Sequence, residues 1–128
     1  MYNSKVLEIF KNPKNVGIVK GANGVGKVES SVCGDIIKVY IKVSEDGIIE
    51  EAKFKAFGCP ASIAAASVAA ELIIGKTLEE ANMETSAKIV EVLGGLPEEK
   101  AYCPALAEEA IKAALEDYYK KKEKEQKQ

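Results

Sequence analysis

Residues 35–60 read DIIKVYIKVSEDGIIEEAKFKAFGCP, and the reading of this stretch decides the fold. Ile37, Val39, Ile41 and Val43 fall on one side of an extended chain, and Lys38, Tyr40 and Lys42 fall on the other. That period of two marks a half-buried strand. Asp46-Gly47 is a hairpin turn signal. The chain then returns as Ile48 to Phe57, with Ala52, Phe54 and Ala56 inward and Lys53 and Lys55 outward. Lysines in that register are the solvated face of an antiparallel sheet. After Gly58 the period changes, and Pro60 to Ile74 reads as a buried helix that Gly75 stops.

Upstream, Val25 to Val32 is expected as an edge strand, preceded by an irregular glycine-rich loop from Gly17 to Gly26. Ser4 to Phe10 is a short helix, stopped by Asn12-Pro13. Downstream, Thr77-Leu78-Glu79-Glu80 is a capping box that opens another short helix. Glu84 to Leu93 is a further helix, ended by Gly94-Gly95. Pro104 to about Lys122 is the longest. Leu106, Ala110, Ile111, Ala114, Leu115 and Tyr118 make its apolar stripe, and Lys120, Lys121 and Lys122 sit where the helix dipole favours cations. Glu123 to Gln128 is expected to fray. Strands first and helices afterwards indicate an α+β fold, a small antiparallel three-stranded sheet with helices packed on one face. Residues 1–128 are expected to form a single domain.

Composition narrows the function. With 128 residues, 47% of them apolar, the chain can bury a core without disulfide staples. A net charge of −2 and no basic stripe argue against nucleic acid as a partner. No apolar run is long enough for a membrane span, and Met1 to Lys5 lacks the pattern of a signal peptide. The expected compartment is the cytoplasm, where thiols stay reduced. The chain has no histidine, which excludes histidine-based triads, H-E-x-x-H zinc proteases and imidazole proton shuttles.

The three cysteines carry the chemistry. Cys59 precedes Pro60 and Cys103 precedes Pro104, so each proline is placed to be a first helical residue. Each sulfur would then lie at a helix N-terminus, where free N–H groups and the dipole favour the thiolate. Cys33 lies in Cys33-Gly34-Asp35, where Gly34 permits a tight turn and Asp35 adds a carboxylate. Three thiolates and one carboxylate make a site for zinc or for an iron–sulfur cluster. Gly58 leaves room for close approach of a ligand or a backbone. One stretch, Gly21-Ala22-Asn23-Gly24-Val25-Gly26-Lys27, imitates a phosphate-binding loop, but Val28 stands where that motif needs Ser or Thr. It is expected to be a mobile loop beside Cys33.

Several motifs in order resemble the IscU/NifU-type iron–sulfur scaffold family. They are Asn12-Pro13-Lys14-Asn15-Val16-Gly17, Cys33-Gly34-Asp35, Phe54 to Cys59, Gly75 to Ala81 and Leu106 to Leu115. The resemblance implies an assembly and transfer protein rather than an enzyme. It implies a labile [2Fe-2S] cluster as product, with Cys33, Asp35, Cys59 and Cys103 holding iron and Cys103 accepting sulfur. It further implies a cysteine desulfurase as donor and apo-proteins such as ferredoxin as acceptors. Asp35, the hard ligand among soft thiolates, is the one expected to let the cluster leave. The family usually has a histidine before its third cysteine, and here that position is Tyr102. Its chaperone-recognition segment has become Leu96-Pro97-Glu98-Glu99-Lys100, which argues against a dedicated Hsp70-type partner. The alternative is a zinc-bound persulfide acceptor of similar fold, a branch that typically carries an insertion before the third cysteine.

Overall fold

The computed structural model describes residues 3–30, 34–83, 86–96 and 102–126. Its elements in chain order are α1 (Ser4–Lys11), β1 (Gly24–Glu29), β2 (Ile36–Val43), β3 (Ile49–Phe57), α2 (Pro60–Ile73), α3 (Leu78–Asn82), α4 (Ser86–Leu93) and α5 (Tyr102–Gln126). The three strands form one antiparallel sheet in the order β1-β2-β3. In the middle of that sheet Val39 stands opposite Gly26 on one side and Phe54 on the other.

The alternation in the central hairpin sorts as its sequence dictates. Ile37, Val39, Ile41, Val43, Ala52 and Phe54 are buried on the face that carries the helices, and Lys53 and Lys55 are exposed. Gly47 closes the turn in a positive-φ conformation, its N–H donating to Ser44 O. α2 packs over β3 and against α5, and α5 packs over β1. Ten of the fourteen residues of α2 are buried, which explains why this helix is alanine-rich and carries no clear polar stripe. The capping box at α3 is complete, with Thr77 Oγ1 accepting from the Glu80 N–H and Glu80 Oε1 accepting from the Thr77 N–H.

Three expectations are corrected. The glycine-rich stretch is not all loop, because β1 begins at Gly24. A Cβ on Gly24 would stand 2.7 Å from Ala114 O, and one on Gly26 would stand 2.5 Å from Ala110 O. These glycines let the α5 backbone lie directly on the edge strand, so Gly24 and Gly26 are packed against a helix rather than part of an open loop. Second, α5 is already helical at Tyr102, so Cys103 lies inside the helix instead of ahead of it. Pro104 is tolerated there because the N–H groups of a first turn have no intrahelical acceptor. Third, the helix continues to Gln126, past the Glu123 at which fraying was expected. The ion pair of Lys121 with Asp117 at 2.9 Å and that of Lys120 with Glu116 at 3.3 Å lace its last turns. Asp117 Oδ2 also accepts the Val25 N–H at 2.8 Å, capping the open edge of β1.

The Asn12 to Gly17 motif has a structural role on the opposite edge. The Phe54 N–H donates to Asn15 O and the Gly17 N–H to Phe54 O, both at 2.8 Å, so the segment shields part of β3. The Ser67 hydroxyl accepts from Lys14 N–H and donates to Lys14 O, both at 3.0 Å, tying the segment to α2.

The contact at Gly26 generates a prediction. Gly26→Ala is expected to destabilise the fold by about 1–3 kcal/mol, the usual cost of overpacking. Chemical denaturation of the metal-free protein checks it, and an unchanged midpoint would contradict the close α5–β1 contact.

Candidate metal centre

The start of β2, the start of α2 and the start of α5 meet at one end of the sheet. Asp35 comes from the residue before β2 and is 4% exposed. Cys59 is the N-cap of α2, with Pro60 at the first helical position, as the Cys-Pro pattern implies. Cys103 comes from the first turn of α5 and is fully buried. The ligand atoms of these three residues all lie within 4.8 Å of one another. Cys59 Sγ is 3.8 Å from Cys103 Sγ and 3.8 Å from Asp35 Oδ2. Cys33 lies outside the described residues. The β1–β2 connection that includes it is closed at its base by the Ser30 N–H donating to Asp35 O at 2.7 Å.

Gly58 is needed because of Asp35. A Cβ at this position would stand 2.5 Å from Asp35 Oδ1, so what approaches closely is the carboxylate itself. The site opens into a cleft of about 450 Å³ lined by Asp35, Ala56, Phe57, Gly58, Cys59, Ile63 and Tyr102. Phe57 is 75% exposed at this cleft. A second hollow, of about 420 Å³, is lined by α1, α2 and α4 residues such as Ile9, Val68 and Leu72 and holds no thiol.

Sequence reasoning missed Ser62. Its side chain is fully buried, and its hydroxyl donates to Asp35 Oδ2 at 2.6 Å. The same oxygen lies 3.3 Å from Cys103 Sγ and 3.5 Å from Cys59 Sγ. A serine in an otherwise alanine-rich buried helix, one turn after Cys59, was the available signal. Tyr102, at the position where the family usually has a histidine, directs its hydroxyl to Asp35 Oδ2 at 3.2 Å.

The two thiols differ electrostatically. Burial pushes the Cys59 thiol up, but the Ser62 hydroxyl, the Ser62 backbone N–H and the Cys103 thiol more than offset it, so Cys59 ionises below the ordinary cysteine range. Burial raises Cys103 to about 11, and the negative charge of a neighbouring Cys59 thiolate adds to the rise. The thiolate expected at both helix starts is therefore met at Cys59 only. At Cys103 dehydration outweighs the dipole, because its side chain is fully buried, with its sulfur against Ser62 and Cys59 at the start of α2.

Two soft sulfurs and a carboxylate in this geometry fit a thiolate-preferring metal such as iron or zinc. Such a constellation, two cysteines and one carboxylate from three elements of a small α+β module, is one that could hold a metal ion. A family profile described as the NifU-like N terminal domain matches residues 1–125, and the chain belongs to that family. It is 49% identical over 121 residues to "Iron-sulfur cluster assembly scaffold protein IscU 1" of Archaeoglobus fulgidus, covering 94% of this chain and 78% of that one. It is 47% identical over 124 residues to the protein named iron-sulfur cluster assembly scaffold protein IscU in Azotobacter vinelandii, covering 94% and 96%. The Escherichia coli (strain K12) protein of that name is 44% identical over 125 residues, covering 95% and 97%. Among solved structures, the fold matches a putative iron-sulfur cluster assembly scaffold protein for the SUF system from Fervidobacterium islandicum. The TM-score is 0.74 at 24% identity, over 89% of this chain and 96% of that one. It also matches a NifU-like N-terminal protein from Brucella abortus, with a TM-score of 0.72 at 21% identity, over 93% and 94%. No helix among the described residues is long and apolar enough to cross a membrane.

The contrast between the thiols is testable by brief iodoacetamide labelling of metal-free protein with peptide mapping. At pH 8 a thiol with a pKa of about 11 is ionised to only about one part in a thousand. Cys59 is expected to label at least ~10-fold faster than Cys103, and Cys103 labelling is expected to climb as the pH approaches 11. Equal labelling at pH 8 would contradict the assignment.

Proposed function

We propose that this chain is a scaffold on which a labile [2Fe-2S] cluster is assembled from iron and desulfurase-derived sulfur, and from which it passes to apo-proteins. The observation that carries this reading is the convergence of Asp35, Cys59 and Cys103, whose ligand atoms come from three separate elements to lie within 4.8 Å of one another, with Asp35 and Cys59 lining one cleft. Structural metal sites are closed cages, whereas this cleft leaves the half-buried Cys59 thiol reachable from solvent. The curated relatives that match nearly the whole chain are named as such scaffolds, which supports the same reading over a zinc-bound persulfide acceptor.

The ligand set is Cys33, Asp35, Cys59 and Cys103. Asp35 supplies a charge that attracts iron and a hard ligand that exchanges readily, and the cysteines supply the soft thiolates that retain the cluster. Cys103 is the proposed acceptor of sulfur from a cysteine desulfurase. Its Sγ lies 3.8 Å from Cys59 Sγ, so sulfur received by either cysteine is one exchange step from the other. In that step one thiolate attacks the outer sulfur of the persulfide and the first cysteine leaves as thiolate. The working compartment is the cytoplasm, whose reducing poise keeps these thiols free.

Anaerobic incubation with ferrous iron, cysteine and a desulfurase tests the reading. The expected result is a visible absorption spectrum of a cluster, equal amounts of iron and acid-labile sulfide, and activation of an apo-ferredoxin on mixing. Cys33→Ser, Cys59→Ser and Cys103→Ser are each expected to abolish stable assembly. Retention of a normal cluster by any one variant would remove that cysteine from the site. Zinc bound without a cluster and no ferredoxin activation would favour the zinc-bound sulfur acceptor instead.

A further inference from the structure

Asp35 is almost fully enclosed, yet among the described residues no buried side-chain oxygen or nitrogen is left without a hydrogen-bond partner. Its two oxygens are differently engaged. Oδ1 packs against Gly58, where even a Cβ would not fit. Oδ2 accepts from Ser62 at 2.6 Å, from Tyr102 at 3.2 Å and, at the longer distance of 3.8 Å, from the Cys59 thiol. A carboxylate oxygen offers about two lone-pair positions, and the two hydroxyls are the nearer of the three donors directed at it. The oxygen that points toward the sulfurs is therefore already taken in the metal-free protein. A metal ion between Asp35 and Cys59 takes the place of the thiol proton and must then share Oδ2 with two hydroxyls that already hold it.

We propose that Ser62 and Tyr102 form a hydroxyl clamp that stabilises the empty site and competes with metal for Asp35 Oδ2. Both are positioning residues that act through Asp35. The clamp rests on the preceding reading that Asp35 is a metal ligand. Its consequence follows from linkage. Removing the Ser62 hydroxyl strips the metal-free state of its shortest polar contact to a buried carboxylate, and an unpaired buried carboxylate is costly. The metal-bound state loses less, because the metal then satisfies the same oxygen. Whatever destabilises the empty state more than the loaded one tightens binding. A hydroxyl that merely preorganised a ligand would have the opposite effect, since losing such a partner usually weakens metal affinity.

The sign of the change decides between these roles. The experiment measures zinc affinity of the reduced full chain under anaerobic conditions, by competition with a chromophoric chelator, together with thermal unfolding with and without zinc. Ser62→Ala places a good helix former in α2 and is expected to lower the Tm of the metal-free protein while tightening zinc by about 10-fold. The gain in Tm on adding zinc should therefore be larger than in wild type. Tyr102→Phe, at the cleft, is expected to act in the same direction and more weakly, in line with its longer bond, and it keeps the test open if Ser62→Ala does not fold. In an Asp35→Ala background, Ser62→Ala should change zinc affinity by less than about 2-fold. Unchanged or weaker zinc binding in Ser62→Ala and in Tyr102→Phe would overturn the clamp. So would equal tightening in the Asp35→Ala background, because the hydroxyl would then act through the sulfurs. If Asp35→Ala alone left zinc affinity unaltered, Asp35 would lose its place as a ligand and the clamp would fall with it. Failure of the clamp with zinc weakened in Asp35→Ala leaves the scaffold reading intact.

Discussion

The site is built around one buried carboxylate. Enclosing Asp35 at the junction of β2, α2 and α5 is costly unless its oxygens are hydrogen-bonded, and the neighbouring residues meet that demand. Gly58 has no side chain because Asp35 Oδ1 occupies the space. Ser62 interrupts a run of small apolar residues because Oδ2 needs a donor from the α2 side. Tyr102 supplies the second donor from α5. The two cysteines are then brought together by the same elements, since Cys59 lies one turn before Ser62 and Cys103 adjoins Tyr102.

The position of α5 is what makes that meeting possible. Its backbone rests on β1 at Gly24 and Gly26, and any side chain at either glycine would lift the helix from the sheet. Asp117 fastens the same helix to the Val25 N–H further along. A glycine pair on the edge strand thus helps fix where Cys103 is delivered. Its effect is also electrostatic. The close seating of α5 is what dehydrates Cys103 and lifts its pKa to about 11, while Cys59, at the cleft, keeps the thiolate-favouring surroundings of a helix start.

Much of this was legible in the sequence. The central hairpin reads from its alternation and its Asp46-Gly47 turn, and α3 reads from its capping box, because both are set by local chemistry. Cys59-Pro60 reads as a helix start for the same reason. What did not read was tertiary. Gly24 and Gly26 carry no periodic signal, so they looked like loop residues, and only the helix lying on them explains their lack of side chains. Pro104 is compatible with several positions of a first turn, so the start of α5 could not be assigned from it, and the burial of Cys103 was missed with it. Ser62 had a weak signal as a polar residue in a buried helix, but its role depends on a carboxylate from another element. Cys33, expected in the site, lies outside the described residues and remains a proposed ligand.

An assembly site has to be stable both empty and full, and these demands conflict. A cage of preorganised, unpartnered ligands would bind tightly and release slowly, and its empty form would bear the cost of an unpaired buried carboxylate. Here the empty form satisfies itself. Asp35 is hydrogen-bonded by Ser62 and Tyr102, and Cys103 is held as a neutral thiol by its burial. The departing cargo therefore leaves behind groups that already have partners waiting. On the proposed ligand set, the free energy of holding the cargo is reduced by the stability of the empty state, so the site holds it less tightly. On the proposed ligand set, the same hydroxyls that make a carboxylate tolerable in the interior would also make it a ligand that can let go.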